Sequence, residues 1–408
     1  MFFKKISIAV ISSVLLLMPV SSVVNAATFT SGEINQIQHL QKEYTELDKT
    51  KYSIENIYQT KPRLKEKFSA GSLKDSYINS QIAYINYYRS LFGLYPVTAD
   101  STANNSAQKT AAVMAAINAN PFVNQHGLPA DTRPNYVSKS TWKLAQSTSQ
   151  TSNLNFNVTN QSAGDVITDL LTDHYNLTGS DTGHRAWLLS TRLSTTGVGA
   201  VYGNNGYRYS VQKVLNVNDI FRTASQPVVT YPNSGVFPIE LIKGKNIAWS
   251  IYFSNKTYSG TPIIEITDND TGKTYSATNV TNYSKAGYGN FKTVITYSPG
   301  KMPIIEGHEY TVNIHGLYKY TFKLFKQDIS GQTQTATTSS NSDSAASYEK
   351  AAVQQDTHAD SSMAKVSGKI WAIFNPKIKD FRNINYFEVL KNGKWHNNFF
   401  LKRVLQLK

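Results

Sequence analysis

The stretch GSDTGHRAWLL, residues 179–189, places a histidine and an arginine directly before a run of apolar residues. The apolar run predicts a buried helical or tightly turned element that starts near Gly183. His184 then has three candidate roles: chemistry, metal binding, or a structural hydrogen bond to the backbone. For Arg185, a pairing with a carboxylate or with carbonyl groups at a helix end is favoured over substrate contact.

Helices are predicted before this stretch and strands after it. Apolar residues at helical spacing precede Gly93, and further helices are predicted over 107–119 and 163–173. The segments 195–203 and 207–215 alternate in polarity and are rich in β-branched and aromatic residues, which indicates strands. Helices followed by strands within residues 73–224 predict an α+β sandwich.

The first 26 residues have the features of an export signal. Lys4 and Lys5 precede an apolar run over 6–20, and residues 24–26 offer small side chains for cleavage. We expect cleavage after Ala26 and a secreted, extracellular protein. No second stretch of about 20 apolar residues predicts a transmembrane segment. Residues 27–72 carry a weak apolar stripe at helical spacing and predict a helical leader.

Two further segments follow the α+β segment. Residues 225–326 contain short alternating strands with turn signals about every ten residues, which predicts an Ig-like β-sandwich. The run Asp268-Asn269-Asp270 lies in a predicted hairpin and lacks the later glutamate of a calcium loop, so a plain turn is favoured. Residues 327–364 have almost nothing to bury and predict a disordered linker.

The last segment, residues 365–408, is basic and aromatic. It carries ten lysines and arginines against two acidic residues, in a chain whose formal net charge is +14. A turn at Asn392-Gly393 between aromatic strands predicts a small β module. We expect it to bind anionic cell-wall polymer or peptidoglycan, and export disfavours nucleic acid as a partner. The candidate wall-binding residues are Trp371, Tyr386, Lys391, Lys394, Trp395, Lys402 and Arg403.

Five motifs occur in the order seen in CAP domains, the family of cysteine-rich secretory, antigen 5 and pathogenesis-related 1 proteins, also called SCP-like. They are INYYRSLFGLYPV (85–97), NSAQKTAAVMAA (105–116), NQHG (124–127), GHRAWLL (183–189) and TTGVGAVYG (195–203). Residues 73–223 therefore resemble a CAP domain of the bacterial subgroup in which SNL replaces GEN and a β-sandwich follows. The resemblance implies an α-β-α sandwich with a shallow cavity.

The same resemblance implies two histidines and two acidic residues in that cavity, a set that can hold a divalent cation. The matching histidines are His126 and His184. Asn153 stands in the stretch where the first acid belongs, and Asp173 is the best match to the second. With one short carboxylate left, we expect zinc to bind weakly or not at all, and no cofactor to be required. Arg185 completes the candidate cavity set.

Three functions remain open, and a binding or adhesion module at the cell wall of a Gram-positive bacterium is favoured. The absence of cysteine fits a bacterium that exports proteins across a single membrane. The tail stretch INYFEVLKNGKWHNNFFLK (384–402) is similar to wall-binding modules of lactobacillus surface-layer proteins. A host surface ligand is a further candidate partner.

The alternatives are a carrier of lipid or small apolar ligands, and a wall-modifying or proteolytic hydrolase that uses His126 and His184. A hydrolase has less support than a binding module. No G-x-S-x-G turn presents a serine, and the cavity retains one of the two acids that glycan cleavage needs.

Overall fold

The structure is a computed structural model that describes residues 28–176 and 179–330, and the backbone of strands at 371–373, 387–391 and 394–398. The expected signal peptide and residues 331–364 of the expected linker lie outside the described residues. So do the side chains of the seven candidate wall-binding residues. Within the described part of the chain, no helix has the length and apolar character needed to cross a membrane.

The leader begins with helix α1, Ser31–Glu46, which starts at a capping box formed by Thr30 and Glu33. Of the leader expected over 27–72, only this part is helical, because the apolar stripe ends at Leu47. The chain then forms a short antiparallel pair, β1 (Tyr58–Thr60) and β2 (Ser72–Leu73). Helix α1 lies against the β-sandwich described below, where Lys323 Nζ is 2.9 Å from Glu33 Oε2.

The α+β fold class expected for residues 73–224 is confirmed. Its sheet has the strand order β3-β5-β6-β4, with β3 parallel to β5 and the other pairs antiparallel. Helix α4 was not predicted from the sequence, although Ser138 caps its start. The elements are α2 (Asp75–Ser90), β3 (Thr98–Ala99), α3 (Ser101–Ala116), α4 (Lys139–Gln150), β4 (Ser152–Asn157), α5 (Ala163–Thr172), α6 (Gly183–Leu188), β5 (Thr195–Tyr202), β6 (Arg208–Lys213) and α7 (Val217–Ile220).

Helices cover both faces of this sheet because side chains alternate along β5. Val198 packs in a cluster with residues of α2 and α5, whereas Val201 packs with α3 and α4. Helix α3 lies so close that a Cβ added at Gly197 would be 2.5 Å from the carbonyl oxygen of Ala103. Helices α4 and α5 therefore lie on opposite faces of the sheet, and their C-terminal ends supply the hydrogen-bond partners of the two histidines, Ser149 for His126 and Asp173 for His184.

A β-sandwich follows, with strands β7 (Val228–Tyr231), β8 (Gly235–Pro238), β9 (Trp249–Phe253), β10 (Ile264–Asp268), β11 (Lys273–Ser276), β12 (Thr278–Asn282), β13 (Thr293–Ser298), β14 (Glu309–Ile314) and β15 (Tyr318–Phe325). One sheet has the order β11-β10-β14-β15-β8, and the other β12-β13-β9-β7. Aromatic rings fill the space between them, with Trp249 edge-on to Tyr297 and to Phe322. The described strands of the tail, β16 (Trp371–Ile373), β17 (Phe387–Lys391) and β18 (Lys394–Asn398), form a separate antiparallel sheet in chain order.

The α+β domain and the sandwich share one apolar core, and Arg185 lies at its centre. Its Nε and Nη2 donate to the carbonyl oxygens of Leu171 and Thr172 at the end of α5, both at 2.6 Å. Its Nη1 donates to Ala248 of the sandwich at 2.7 Å, and the guanidinium lies 3.7 Å from the ring centre of Tyr231. We call this set the junction. Arg185 has no exposed surface and therefore lines the junction rather than the expected cavity.

Candidate functional site

The segment that carries His184 is held by two residues in the left-handed conformation. Asp173 ends α5 with φ 58°, and Thr182 precedes α6 with φ 52°. A positive φ is rare for a β-branched residue, and such strain persists only where the surroundings impose it. Here the Thr182 hydroxyl is hydrogen-bonded to the hydroxyl of Tyr252 at 2.7 Å, which anchors the start of α6 on the sandwich.

His184 is oriented by Asp173. Its Nδ1 lies 2.7 Å from Asp173 Oδ1, while Asp173 Oδ2 accepts the backbone N–H of Arg185. Burial alone would lower the pKa of His184, but the charge and hydrogen bond of Asp173, with a contribution from Asp181, raise it above its ordinary value. Since a carboxylate only accepts, Nδ1 carries the proton, and neutral His184 presents the lone pair of Nε2.

His126 is fixed in the same way by a different acceptor. Its Nδ1 lies 2.8 Å from the backbone carbonyl oxygen of Ser149, so Nδ1 again donates and Nε2 carries the lone pair. Burial lowers the pKa of His126, and the nearby charge of His184 lowers it further against the opposing effect of Ser149. The two imidazoles thus lie close enough to interact electrostatically. We call this site the histidine pocket, made of His126, His184, Asp173, Asn153 and Asp181.

Asn153 supports the backbone of the pocket from strand β4. Its side chain is buried, and its amide donates to the carbonyl oxygen of His184 at 3.1 Å and to Gln212 Oε1 at 3.3 Å. An uncharged amide thus occupies the place where the family resemblance implies a carboxylate. Within the described chain, the buried Nε2 of Gln212 has no hydrogen-bond partner, so an unused donor lies beside Asn153.

Sequence reasoning missed two residues of the pocket wall. Asp181 accepts from the backbone N–H of Gly183 at 3.1 Å and from the hydroxyl of Tyr288 at 2.8 Å. Burial, and then the charge of Asp181, raise the pKa of Tyr288, which keeps the phenol protonated as a donor. Asp181 had a local signal, because an acidic residue just before a helix often caps it. Tyr288 had none, since it comes from the sandwich.

Among the described residues, His126, His184 and Asp173 do not form a group of three whose ligand atoms lie within 4.8 Å of one another. Asp173 is bonded to Nδ1 of His184, so its role there is to orient the ring and raise its basicity. Two imidazole Nε2 atoms remain as donors, fewer than the three protein ligands of zinc catalytic sites. In the described residues, one group of three ligating side chains comes together, with ligand atoms within 4.8 Å of one another. It is Asp268, Asp270 and His308 of the sandwich.

Two comparisons with known proteins bear on this site. The family model described as CAP: Cysteine-rich secretory protein family matches residues 82–214. The matched range contains both histidines, Asn153 and Asp173, and it ends before the sandwich begins. A search of curated proteins found no match.

Proposed function

Residues 82–214 of this chain are a CAP domain, and from that premise we propose that the protein is a secreted binding protein of the Gram-positive cell wall. Its CAP domain would hold a polar ligand in the histidine pocket, and its basic tail would attach it to the wall. The main support for the proposal is that both imidazoles are fixed through Nδ1, which leaves each Nε2 available to a ligand.

Binding is favoured over catalysis because no hydroxyl group of the described residues is hydrogen-bonded to either Nε2 atom. Among the described residues, neither accepts a hydrogen bond from a serine, threonine or tyrosine hydroxyl, which a nucleophile–base pair requires. The raised pKa of His184 and the lowered pKa of His126 give the pocket one donor and one acceptor at mildly acidic pH. A ligand with neighbouring hydroxyl and carboxylate or carbonyl groups, as in wall glycans and their peptides, matches this pair.

Attachment to the wall is supported by the charge of residues 365–408, with ten basic against two acidic residues. Exposed charges attract anionic polymer over about 10 Å at 0.1 M salt, and this attraction is screened at higher salt. The tail and the pocket therefore make separable contributions, one sensitive to salt and one to the histidines.

The proposal is tested by sedimentation with purified cell walls. We expect the full chain to pellet with walls and to be released by salt, while a chain that ends at Gln327 stays in the supernatant. In the full chain, His126→Gln with His184→Gln should preserve sedimentation and reduce retention of soluble wall fragments. Equal sedimentation of the full and shortened chains would contradict the attachment.

A hydrolase is the second candidate, favoured by the 2.7 Å contact between Asp173 and His184. A histidine oriented by a carboxylate and exposing Nε2 can act as a general base. Under this alternative the wild-type chain releases reducing sugars or amines from walls, and His184→Gln abolishes the release. Release that persists in His184→Gln would rule out a hydrolase that uses His184 as its base.

A further inference from the structure

The sandwich holds three ligating side chains that the CAP domain does not use. We propose that Asp268, Asp270 and His308 form a binding site for a divalent cation, with zinc as the ion that fits best. Their ligand atoms lie within 4.8 Å of one another, although the residues come from two different turns, one with both aspartates and one with His308. The site is distinct from the histidine pocket.

The sheet places these residues together. Asp268 ends β10 opposite Tyr310 of β14, which brings the β10–β11 turn beside the turn that contains His308. Asp268 Oδ1 accepts the backbone N–H groups of Asp270 and Thr271, and Asp270 Oδ2 accepts that of Glu309 at 2.7 Å. Both carboxylates are therefore oriented before any ion arrives.

The spacing of His308 and Asp268 is wider than that of two other histidine–carboxylate pairs and shorter than the 3.4 Å of the exposed His39–Glu43 pair. His308 Nδ1 lies 3.1 Å from both oxygens of Asp268, whereas the His184–Asp173 and His315–Glu265 contacts are 2.7 Å. Ligand atoms around a tetrahedral zinc ion are about 3.4 Å apart, given bonds of about 2.0–2.2 Å. The distance at His308 lies between that separation and the roughly 2.7–2.9 Å of a charge-assisted hydrogen bond.

Burial and charge point to the same ion. The side chains of His308 and Asp268 are 7% and 1% exposed, so the carboxylate is costly without a counter-charge. Two carboxylates balance a divalent cation, and the imidazole nitrogen favours zinc over calcium or magnesium. Calcium needs about six to eight oxygen ligands, more than these residues supply. Three protein ligands leave a fourth position for water or another group.

The test is zinc titration of the full chain carrying His126→Gln and His184→Gln, which removes the CAP imidazoles. We expect zinc to raise the melting temperature and calcium to leave it unchanged. Adding Asp270→Asn should weaken zinc binding at least about tenfold, because even outer-shell changes cost tenfold to a hundredfold. The asparagine keeps an acceptor for the Glu309 N–H, so this variant should fold.

His308→Gln should abolish the zinc response, and His315→Gln is the matched control because it changes an exposed histidine of the same sandwich. Zinc binding that is unchanged in both Asp270→Asn and His308→Gln would overturn the proposal. So would the absence of any zinc-dependent shift in the parent chain, which would leave His308 and Asp268 as a hydrogen-bonded pair only.

Discussion

His184 and Arg185 are adjacent in α6, yet they serve two regions of opposite character. At the junction, Arg185 is fully buried and its guanidinium is satisfied by backbone carbonyls from both domains. In the histidine pocket, His184 is 22% exposed and its Nε2 faces away from Asp173. Buried polar groups are normally satisfied, so the junction is built for stability. The pocket keeps unused hydrogen-bonding capacity, which a ligand can use.

The first prediction would break the junction. Arg185→Met should lower the free energy of unfolding by about 3–5 kcal/mol, because it leaves buried carbonyls of both domains without their donor. Urea unfolding measures this. Lys61→Met is the control, since Lys61 and Glu55 are 59% and 74% exposed and their surface ion pair contributes at most about 1 kcal/mol. A loss below 1 kcal/mol for Arg185→Met would mean that the two domains do not depend on the junction.

The second prediction adds charge to the pocket. Asn153→Asp should cost about 1–3 kcal/mol of stability, because the carboxylate cannot donate to the carbonyl oxygen of His184. In a His308→Gln background it should also strengthen zinc binding about tenfold, since it supplies an anionic ligand. Unfolding and calorimetry measure the two effects. Unchanged zinc affinity would show that position 153 does not face the two Nε2 atoms.

The third prediction concerns the contribution of the sandwich to the pocket. Tyr288→Phe removes the hydrogen bond to Asp181 and should destabilise the chain by about 1–2 kcal/mol. Tyr207→Phe is the control, because the Tyr207 hydroxyl makes no hydrogen bond to any described residue. Equal unfolding free energies for Tyr288→Phe and the wild type would show that the hydrogen bond from Tyr288 to Asp181 does not stabilise the chain.

The fourth and smallest prediction is a pair of pH effects with opposite signs. The raised pKa of His184 gives stability that is present below about pH 6.5 and is lost as the pH rises through the folded pKa. The lowered pKa of His126 gives stability that is present above about pH 6.5 and is lost as the pH falls through the folded pKa.

Nuclear magnetic resonance titration should therefore place the two histidines on opposite sides of 6.5, and Asp173→Asn should lower the pKa of His184. A single shared pKa for both rings would contradict the different roles of Asp173 and the Ser149 carbonyl.

Helix α5 shows what the local spacing of apolar residues can predict and what it cannot. Its apolar spacing predicted a helix over 163–173, and the helix is Ala163–Thr172, with Asp173 in a left-handed turn just beyond it. Asp173 orients the imidazole of His184, because the left-handed turn directs its carboxylate towards that ring. Helix α4 was missed, since its sequence KSTWKLAQSTSQ is mostly polar and only a narrow face is buried.

The sequence by itself determined helices α2, α3 and α5, strands β5 and β6, the α+β class and the β-rich region that follows, and it predicted both pocket histidines. These depend on spacings of two to four residues and on motif order. Only the tertiary structure decided that Arg185 belongs to the junction, that Tyr288 reaches Asp181 from another domain, and that His308 meets Asp268 across 40 positions. The physical reason is that such contacts arise when sheets and domains pack, and no local periodicity records which distant side chains that packing brings together.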